Sequence, residues 1–337
     1  MIRRRALLAG GATLAAPAAA AQKYPMGSKH LDLRFAGADG VMLSGTLLLP
    51  LLSELQRVPG VVLVAGSGPT DRDGNNRYLA EKIDLLKQIA ELLARNGIAS
   101  LRYDKRGIGQ STPRPHGGLE EQARFVAWDN FVGDVVAAQA ELVRHDEVKP
   151  YATAVLGHSE GGLLALAAAP LIKKNRLHSL VLASTPGRPM ADILRAQIAR
   201  NAPQLLDATV QIMAAIQASG HVPTNLPREL EAVFPAYAGP FLQRLMAFDS
   251  ARALLELNQA CLLLQGGADR QVVPMEDVQP LIDALGKRTV SGEAMVFPAV
   301  SHNLKQVTWP TDLGFGGPIA PLVAAKLVDW LAPTLGA

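Results

Sequence analysis

The pentapeptide Gly157-His158-Ser159-Glu160-Gly161 stands between two apolar runs in the middle of the chain. Residues 151–156 before it have the length and composition of a buried strand, and residues 162–169 after it are rich in alanine and leucine, as in a buried helix. The flanking glycines carry no Cβ, so strand and helix can approach each other closely. This stretch therefore predicts a strand, a tight turn that exposes the serine, and a helix.

Such a turn gives Ser159 the position of a nucleophile. The N–H of Glu160 lies at the start of the predicted helix, where amides have no partner within the helix and the helix dipole favours negative charge. This amide can therefore bind a developing oxyanion. The alternative is a plain connection between strand and helix, because G-x-S-x-G also occurs in ordinary glycine-rich loops.

Composition limits the function classes. The chain has 337 residues, of which 49% are hydrophobic, enough for one large α/β domain or two small ones. Three arginines, Arg3 to Arg5, account for the formal charge of +3, and without them 30 basic residues face 30 acidic ones. Nucleic-acid binding therefore has no electrostatic support.

Residues 1–21 have the pattern of a signal peptide. Arg3 to Arg5 precede a short apolar stretch, and small residues lead to Gln22. The stretch is too short for a stable membrane span, which predicts an exported, periplasmic protein that uses the general secretory or the twin-arginine route. A retained N-terminal anchor is the alternative. The single cysteine, Cys261, lies in an apolar run and is expected to be a buried thiol without a disulfide partner.

Alternating strand and helix patterns follow the predicted signal peptide. Residues 30–35 and 41–49 predict an antiparallel hairpin, residues 61–65 a buried strand, and residues 78–96 a helix. Strand and helix patterns continue to alternate along the chain, which predicts a mostly parallel sheet with helices on both faces. From about 186 to 257 the alternation stops and helical stretches are broken by glycine and proline, which predicts a helical cap inserted over the active site.

The glycine-rich loop at residues 66–75 follows the strand at 61–65. Its Ser67 N–H is the candidate for a second oxyanion donor. Arg72 has two interpretations: it binds an acidic group of the substrate, or it forms ion pairs that stiffen the loop. The glycine pair Gly107 and Gly109 fails the dinucleotide pattern, and no phosphate-binding loop or zinc motif is found, so no cofactor and no metal are expected.

A strand-end acid and a strand-end histidine complete the pattern. Asp269 follows the apolar run 260–264, and His302 follows the predicted strand 294–297. The chain order Ser159, Asp269, His302 is the order expected of one hydrolase fold. Asp277 and Asp283 are alternative candidates for the acid.

The turn at Ser159 and the strand ends that carry Asp269 and His302 resemble the corresponding segments of α/β-hydrolase-fold serine hydrolases. The resemblance is to the prolyl-oligopeptidase-like and dienelactone-hydrolase-like branches of that superfamily. The resemblance implies one α/β-hydrolase domain over residues 22–337, with a mostly parallel sheet of the eight-stranded type. It also implies that His302 deprotonates Ser159, that Asp269 orients His302, and that the amides of Ser67 and Glu160 bind the oxyanion. Ala65 stands where many relatives have a histidine, which leaves the amide donor intact but removes a brace of the loop.

The expected reaction is hydrolysis of a small carboxylic ester through an acyl-enzyme. The same residues serve hydrolysis of a short peptide or amide, so that reading stays open. A ligand-binding protein that has kept the hydrolase fold is the alternative without catalysis.

Overall fold

The computed structural model describes residues 27–51, 56–309 and 312–337. The predicted signal peptide at residues 1–21 lies outside these ranges. The described residues form an eight-stranded sheet in the order β1-β2-β4-β3-β5-β6-β7-β8. The strands are β1 (Ser28–Ala36), β2 (Met42–Pro50), β3 (Val58–Val64), β4 (Ala99–Tyr103), β5 (Val148–His158), β6 (Ser179–Ala183), β7 (Ala260–Gly266) and β8 (Gly292–Phe297).

All strand pairs from β4 to β8 are parallel, whereas β1 pairs antiparallel with β2 and β2 antiparallel with β4. The helices are α1 (Leu85–Arg95), α2 (Leu119–Phe125), α3 (Trp128–Leu142), α4 (Glu160–Ala168), α5 (Met190–Asn201), α6 (Leu206–Ser219), α7 (Gly239–Ala247), α8 (Ser250–Leu255), α9 (Gln279–Lys287) and α10 (Pro321–Leu335). Both the predicted hairpin and the mostly parallel sheet of an α/β-hydrolase fold are confirmed.

The sheet is covered on both faces, as its central strands show. Val62 and Val64 of β3 belong to the apolar cluster with α3, α4, α8 and α9, while Val61 and Leu63 belong to the cluster with α1 and α10. Successive side chains of a strand point to opposite faces, so a strand buried on both faces must be apolar throughout. This is why residues 61–64 form a continuous apolar run in the sequence.

The helix predicted over residues 78–96 is wrong in its first part, because α1 begins only at Leu85. The side-chain oxygen of Asn75 accepts hydrogen bonds from the amides of Ile83 and Asp84, at 2.8 and 2.9 Å. Asp84 itself has a positive φ of 50°. These contacts fix residues 78–84 as a loop against the local pattern of leucine and isoleucine.

Helices α5 to α8 lie between β6 and β7. The segment from α5 to α7 has an apolar cluster of its own, which includes Ile216 and Phe234. One side of this helical segment packs on the body through Phe241, whose ring lies 5.9 Å from that of Trp128. Another contact joins α5 to the carboxyl edge of the sheet, since Gln197 Nε2 donates to the carbonyl of Gln271 at 2.8 Å. A role as a cap over the site stays a prediction.

Candidate active site

Ser159 lies between β5 and α4 in a strained conformation, with φ 54° and ψ −123°. Positive φ is rare for a residue with a side chain, and here the neighbouring glycines fix it. A Cβ on Gly157 would collide with the carbonyl of Gly161, and a Cβ on Gly161 would collide with the carbonyl of Val64 at the end of β3. The turn therefore depends on glycine at both positions, and it leaves the Ser159 side chain partly exposed.

Asp269 lies three residues beyond β7, and its carboxylate accepts four hydrogen bonds. One oxygen contacts His302 Nδ1 at 2.8 Å and Gln265 Nε2 at 2.9 Å. The other accepts from the amides of Gln271 and Val272, at 2.8 and 2.9 Å. Burial raises the pKa of Asp269, but the charge of His302 and these hydrogen bonds outweigh burial and hold the pKa below its usual value. Asp269 is thus suited to be a charged partner for His302.

His302 is held by its backbone as well as by its ring. Its carbonyl accepts hydrogen bonds from His158 Nε2 and from the Ser184 hydroxyl, both at 2.9 Å. The contact requires the hydrogen of His158 on Nε2, because a carbonyl only accepts. Burial, together with the nearby charge of His302, lowers the pKa of His158 to about 3. The neutral His158 ring lies 4.8 Å from the His302 ring and fixes the histidine beside the nucleophile turn.

Of the three predicted catalytic residues, the structure pairs His302 with Asp269. The hydroxyl of Ser159 makes no hydrogen bond to any of the residues described, so its contact with His302 stays a prediction. Catalytic hydrogen bonds are often long in unliganded enzymes and tighten when substrate binds. Because Asp269 binds Nδ1 of His302, Nε2 is the ring nitrogen left for a nucleophile.

The two predicted oxyanion donors lie at the ends of neighbouring strands. Ser67 follows β3 and is exposed, and Glu160 opens α4, directly after the strand that pairs with β3. Within the described part of the chain, neither amide donates a hydrogen bond. Both are thus available to a ligand oxygen.

Arg72 is engaged in the loop. Its guanidinium lies 2.8 Å from the buried Asp104 carboxylate and also donates to Thr46 at 3.1 Å. The Arg72 amide donates to the same carboxylate at 2.8 Å. This geometry corresponds to the loop-stiffening interpretation, and a contact between Arg72 and substrate stays a prediction.

The alternative acids are occupied elsewhere. The carboxylate of Asp277 lies 2.7 Å from Arg188 and accepts from the Val273 amide, while Asp283 accepts from Gln279 on the exposed side of α9. The sequence pattern does not reveal Lys105, a buried lysine whose ammonium contacts the carbonyl of Gly66 at 2.5 Å. The one signal for Lys105 is its place two residues beyond β4, at the edge where ligand groups gather.

A family model described as "Serine aminopeptidase, S33" matches residues 79–306, more than half of the chain. The chain belongs to this family. The matched range contains Ser159, Asp269 and His302, while Ser67 and Arg72 lie before it. Membership in the serine aminopeptidase S33 family confirms the resemblance to α/β-hydrolase-fold serine hydrolases.

This S33 family member is similar to esterases and to a peptidase. Esterase EstD of Thermotoga maritima is 27% identical over 252 residues, which are 72% of this chain and 54% of EstD. The chain thus spans about half the length of this curated relative. Among solved structures, a puromycin-hydrolyzing peptidase of Mycobacterium tuberculosis has a TM-score of 0.58 at 18% identity, over 92% of this chain and 40% of that one. Est1E of Butyrivibrio proteoclasticus, solved with ferulic acid, has a TM-score of 0.59 at 16% identity, over 90% and 99%.

These structural likenesses show the fold of the S33 family member and not its substrate. In the described ranges, no helix combines the length and the hydropathy that a membrane crossing requires. No cluster of three or more metal-binding side chains is found in the same ranges.

Proposed function

We propose that this protein is an exported serine hydrolase that cleaves small carboxylic esters through Ser159, His302 and Asp269. The observation that carries the proposal is the 2.8 Å contact between His302 Nδ1 and the buried Asp269, in a chain whose Ser159 is held at φ 54° on a turn between strand and helix. A nucleophile, a base and an acid that orients the base are the parts that acyl transfer needs.

In this mechanism Ser159 Oγ attacks the ester carbonyl while His302 Nε2 takes the hydroxyl proton. The charge on the carbonyl oxygen is stabilised by the amides of Ser67 and Glu160. The imidazolium of His302, oriented by Asp269, then gives its proton to the leaving alcohol, and the Ser159 acyl ester remains. Water, deprotonated by His302, attacks this ester, and collapse of the second tetrahedral intermediate releases the acid and restores Ser159.

Peptide hydrolysis is the second candidate, because the family is described as serine aminopeptidase. An aminopeptidase must recognise the ammonium group at the start of its substrate. Three carboxylates at this edge of the sheet already have a basic side chain beside them: Asp269 has His302, Glu160 has Lys105, and Asp277 has Arg188. None of these three is left for a substrate ammonium, which favours an uncharged ester substrate.

Labelling with a fluorophosphonate probe tests the nucleophile, and mass spectrometry of the labelled peptide should locate the adduct on Ser159. Turnover of p-nitrophenyl esters and of aminoacyl p-nitroanilides, measured side by side, separates the two candidates. We expect the esters to have the higher kcat/KM. The Ser159→Ala variant should be folded, as judged by circular dichroism, and should lose both labelling and turnover. Unchanged turnover in Ser159→Ala would contradict the proposal.

Export rests on the pattern of residues 1–21. Expression of the full chain in a Gram-negative host should give a periplasmic product whose amino-terminal residue is Gln22. Replacement of Arg4 and Arg5 by lysine should block export if the twin-arginine route is used and leave it intact if the general route is used. A product that keeps its first 21 residues in the cytoplasm would contradict export but not ester hydrolysis.

A further inference from the structure

Lys105 lies two residues beyond β4 and is almost fully buried, with 5% of its surface exposed. A buried ammonium loses its hydration, so it needs partners that compensate for that loss. Two are present: the carbonyl oxygen of Gly66 at 2.5 Å and the carboxylate of Glu160 at 3.8 Å. Burial lowers the pKa of Lys105 and raises that of Glu160, and in each case the other group of the pair opposes the effect.

Both partners are attached to the candidate oxyanion hole. The carbonyl of Gly66 and the N–H of Ser67 belong to the same planar peptide group and point in opposite directions. A cation on that carbonyl therefore fixes the direction of the Ser67 N–H and increases its polarity. The other partner, Glu160, is the residue whose own N–H is the second donor.

We propose that Lys105 is a positioning residue that aligns the two oxyanion-binding amides, through the Gly66 carbonyl on one side and the Glu160 carboxylate on the other. This inference rests on the proposed function. Lys105 touches neither the substrate nor the reacting atoms in this arrangement. It supplies the brace for the loop after β3, where Ala65 occupies the position at which many α/β hydrolases have a histidine.

The alternative is that Lys105 only stabilises the fold. The two roles predict different effects on the kinetics and on the stability of a Lys105 variant. An aligned oxyanion hole binds the tetrahedral state more tightly than the planar substrate, so its loss lowers kcat and leaves KM nearly unchanged. Loss of a purely structural contact lowers the free energy of unfolding and leaves the kinetics of the folded enzyme unchanged.

The central test is the double variant Lys105→Met with Glu160→Gln, which removes both charges and leaves no unpaired buried ion. We expect it to fold with near wild-type stability, to have a kcat about 10- to 100-fold below wild type, and to keep KM within about 3-fold. A trifluoromethyl ketone, which forms a tetrahedral adduct with the serine, should lose affinity by the same factor as kcat. Lys105→Met alone should show the same kinetic loss together with reduced stability.

Arg106→Met is the matched control, because Arg106 is the next buried cation along the chain and contacts Asp134 instead of the oxyanion loop. It should lose stability and keep kcat within about 3-fold of wild type. A double variant at Lys105 and Glu160 with wild-type kcat and inhibitor affinity would overturn the role of Lys105 while leaving the proposed function in place. A wild-type enzyme without Ser159-dependent hydrolysis would instead overturn the proposed function, and this inference with it.

Discussion

At the scale of single residues, Asp269 illustrates how one carboxylate can fix the tautomer of the histidine that it contacts, His302. Only a carboxylate accepts hydrogen bonds on all sides, as Asp269 does from His302, Gln265 and two amides. An asparagine at this place would turn its NH₂ group toward His302 Nδ1. The ring would then carry its hydrogen on Nε2, the nitrogen that accepts the serine proton in the proposed mechanism.

We therefore expect Asp269→Asn to fold normally and to lower kcat for esters by about 10³- to 10⁴-fold, through the wrong tautomer of His302. Steady-state kinetics at pH 7.5 on a p-nitrophenyl ester checks this. Asp283→Asn is the matched control, since Asp283 is an exposed carboxylate on α9, and it should keep kcat within about 3-fold. Loss of activity in Asp283→Asn with retention in Asp269→Asn would reverse the assignment of the acid.

His158 makes stability depend on pH through a different effect. Its pKa in the folded protein is about 3, below the ordinary value of 6.5, because burial favours the neutral ring. Between these values the unfolded chain binds more protons than the folded one, so the free energy of unfolding falls as pH falls from 6.5 toward 3. From pH 7.5 to pH 5 this single group should account for about 2 kcal/mol.

His158→Gln retains a donor for the carbonyl of His302 but does not titrate. Urea unfolding at pH 7.5 and pH 5.0 should therefore show a loss that is about 2 kcal/mol smaller than in wild type. His221→Gln, at an exposed position, is the control and should keep the wild-type loss. An unchanged pH dependence in His158→Gln would mean that the buried ring is not the group responsible.

At the scale of elements, the turn between β5 and α4 is built by close backbone contacts. A Cβ on Gly161 would lie 2.7 Å from the carbonyl oxygen of Ala65 and closer still to that of Val64, both at the end of β3. Gly161→Ala must therefore displace either the nucleophile turn or the start of the oxyanion loop. We expect it to lower the free energy of unfolding by about 2–4 kcal/mol, measured by urea denaturation, and to lower kcat as well.

Gly286→Ala in α9 is the matched control for this change. A Cβ at Gly286 would have no neighbour within 4 Å, and alanine is preferred over glycine in helices. This variant should therefore gain about 0.5–1 kcal/mol. If both variants had the same stability, crowding at the turn would not be the cause of the loss at Gly161.

The elements that the sequence could predict are those fixed by local pattern. Strand β5, the serine turn and α4 follow from an apolar run, two glycines and an alanine-rich run, and these require no distant partner. The pattern at residues 78–84 misled because Asn75 and Asp84 hold a loop through contacts that helical spacing does not reveal. Hydrophobic periodicity indicates which residues can be buried, but side-chain contacts with the backbone decide whether a helix forms.

The candidate site shows the same division. Ser159, Asp269 and His302 could be named because strand ends gather at one edge of a parallel sheet. The contact of His158 with His302 spans 144 positions, and that of Lys105 with Gly66 spans 39. Neither has a local signal, since the identity of a buried partner depends on how separate strands align.

At the scale of the whole molecule, one buried ion pair joins segments that are far apart in the chain. Arg106 follows β4, and its guanidinium contacts both oxygens of Asp134 in α3, at 2.7 Å each. It also donates to the carbonyl of Phe125 at the end of α2 and to that of Ala38 in the β1–β2 turn, both at 3.0 Å. The edge hairpin, two helices and the loop that carries Lys105 thus share one cation.

Such a pair specifies where these segments meet, while its net stabilisation is small. Burial raises the pKa of Asp134 although Arg106 lies beside it, because the carboxylate loses its hydration in the interior. Removing one partner leaves the other charge buried alone, whereas removing both eliminates the uncompensated charge. The two kinds of variant should therefore differ strongly in stability.

We expect Arg106→Met and Asp134→Leu each to lower the free energy of unfolding by about 3–5 kcal/mol, and the double variant to recover most of that loss. Urea denaturation of the four proteins at pH 7.5 gives the coupling energy directly, provided that each unfolds in one transition. Losses that simply add in the double variant would show that the two side chains act independently. Neither residue contacts the candidate nucleophile, the base or the oxyanion amides, so the folded variants should hydrolyse esters with kcat within about 3-fold of wild type. This result would separate the stability of the scaffold from the chemistry of its site.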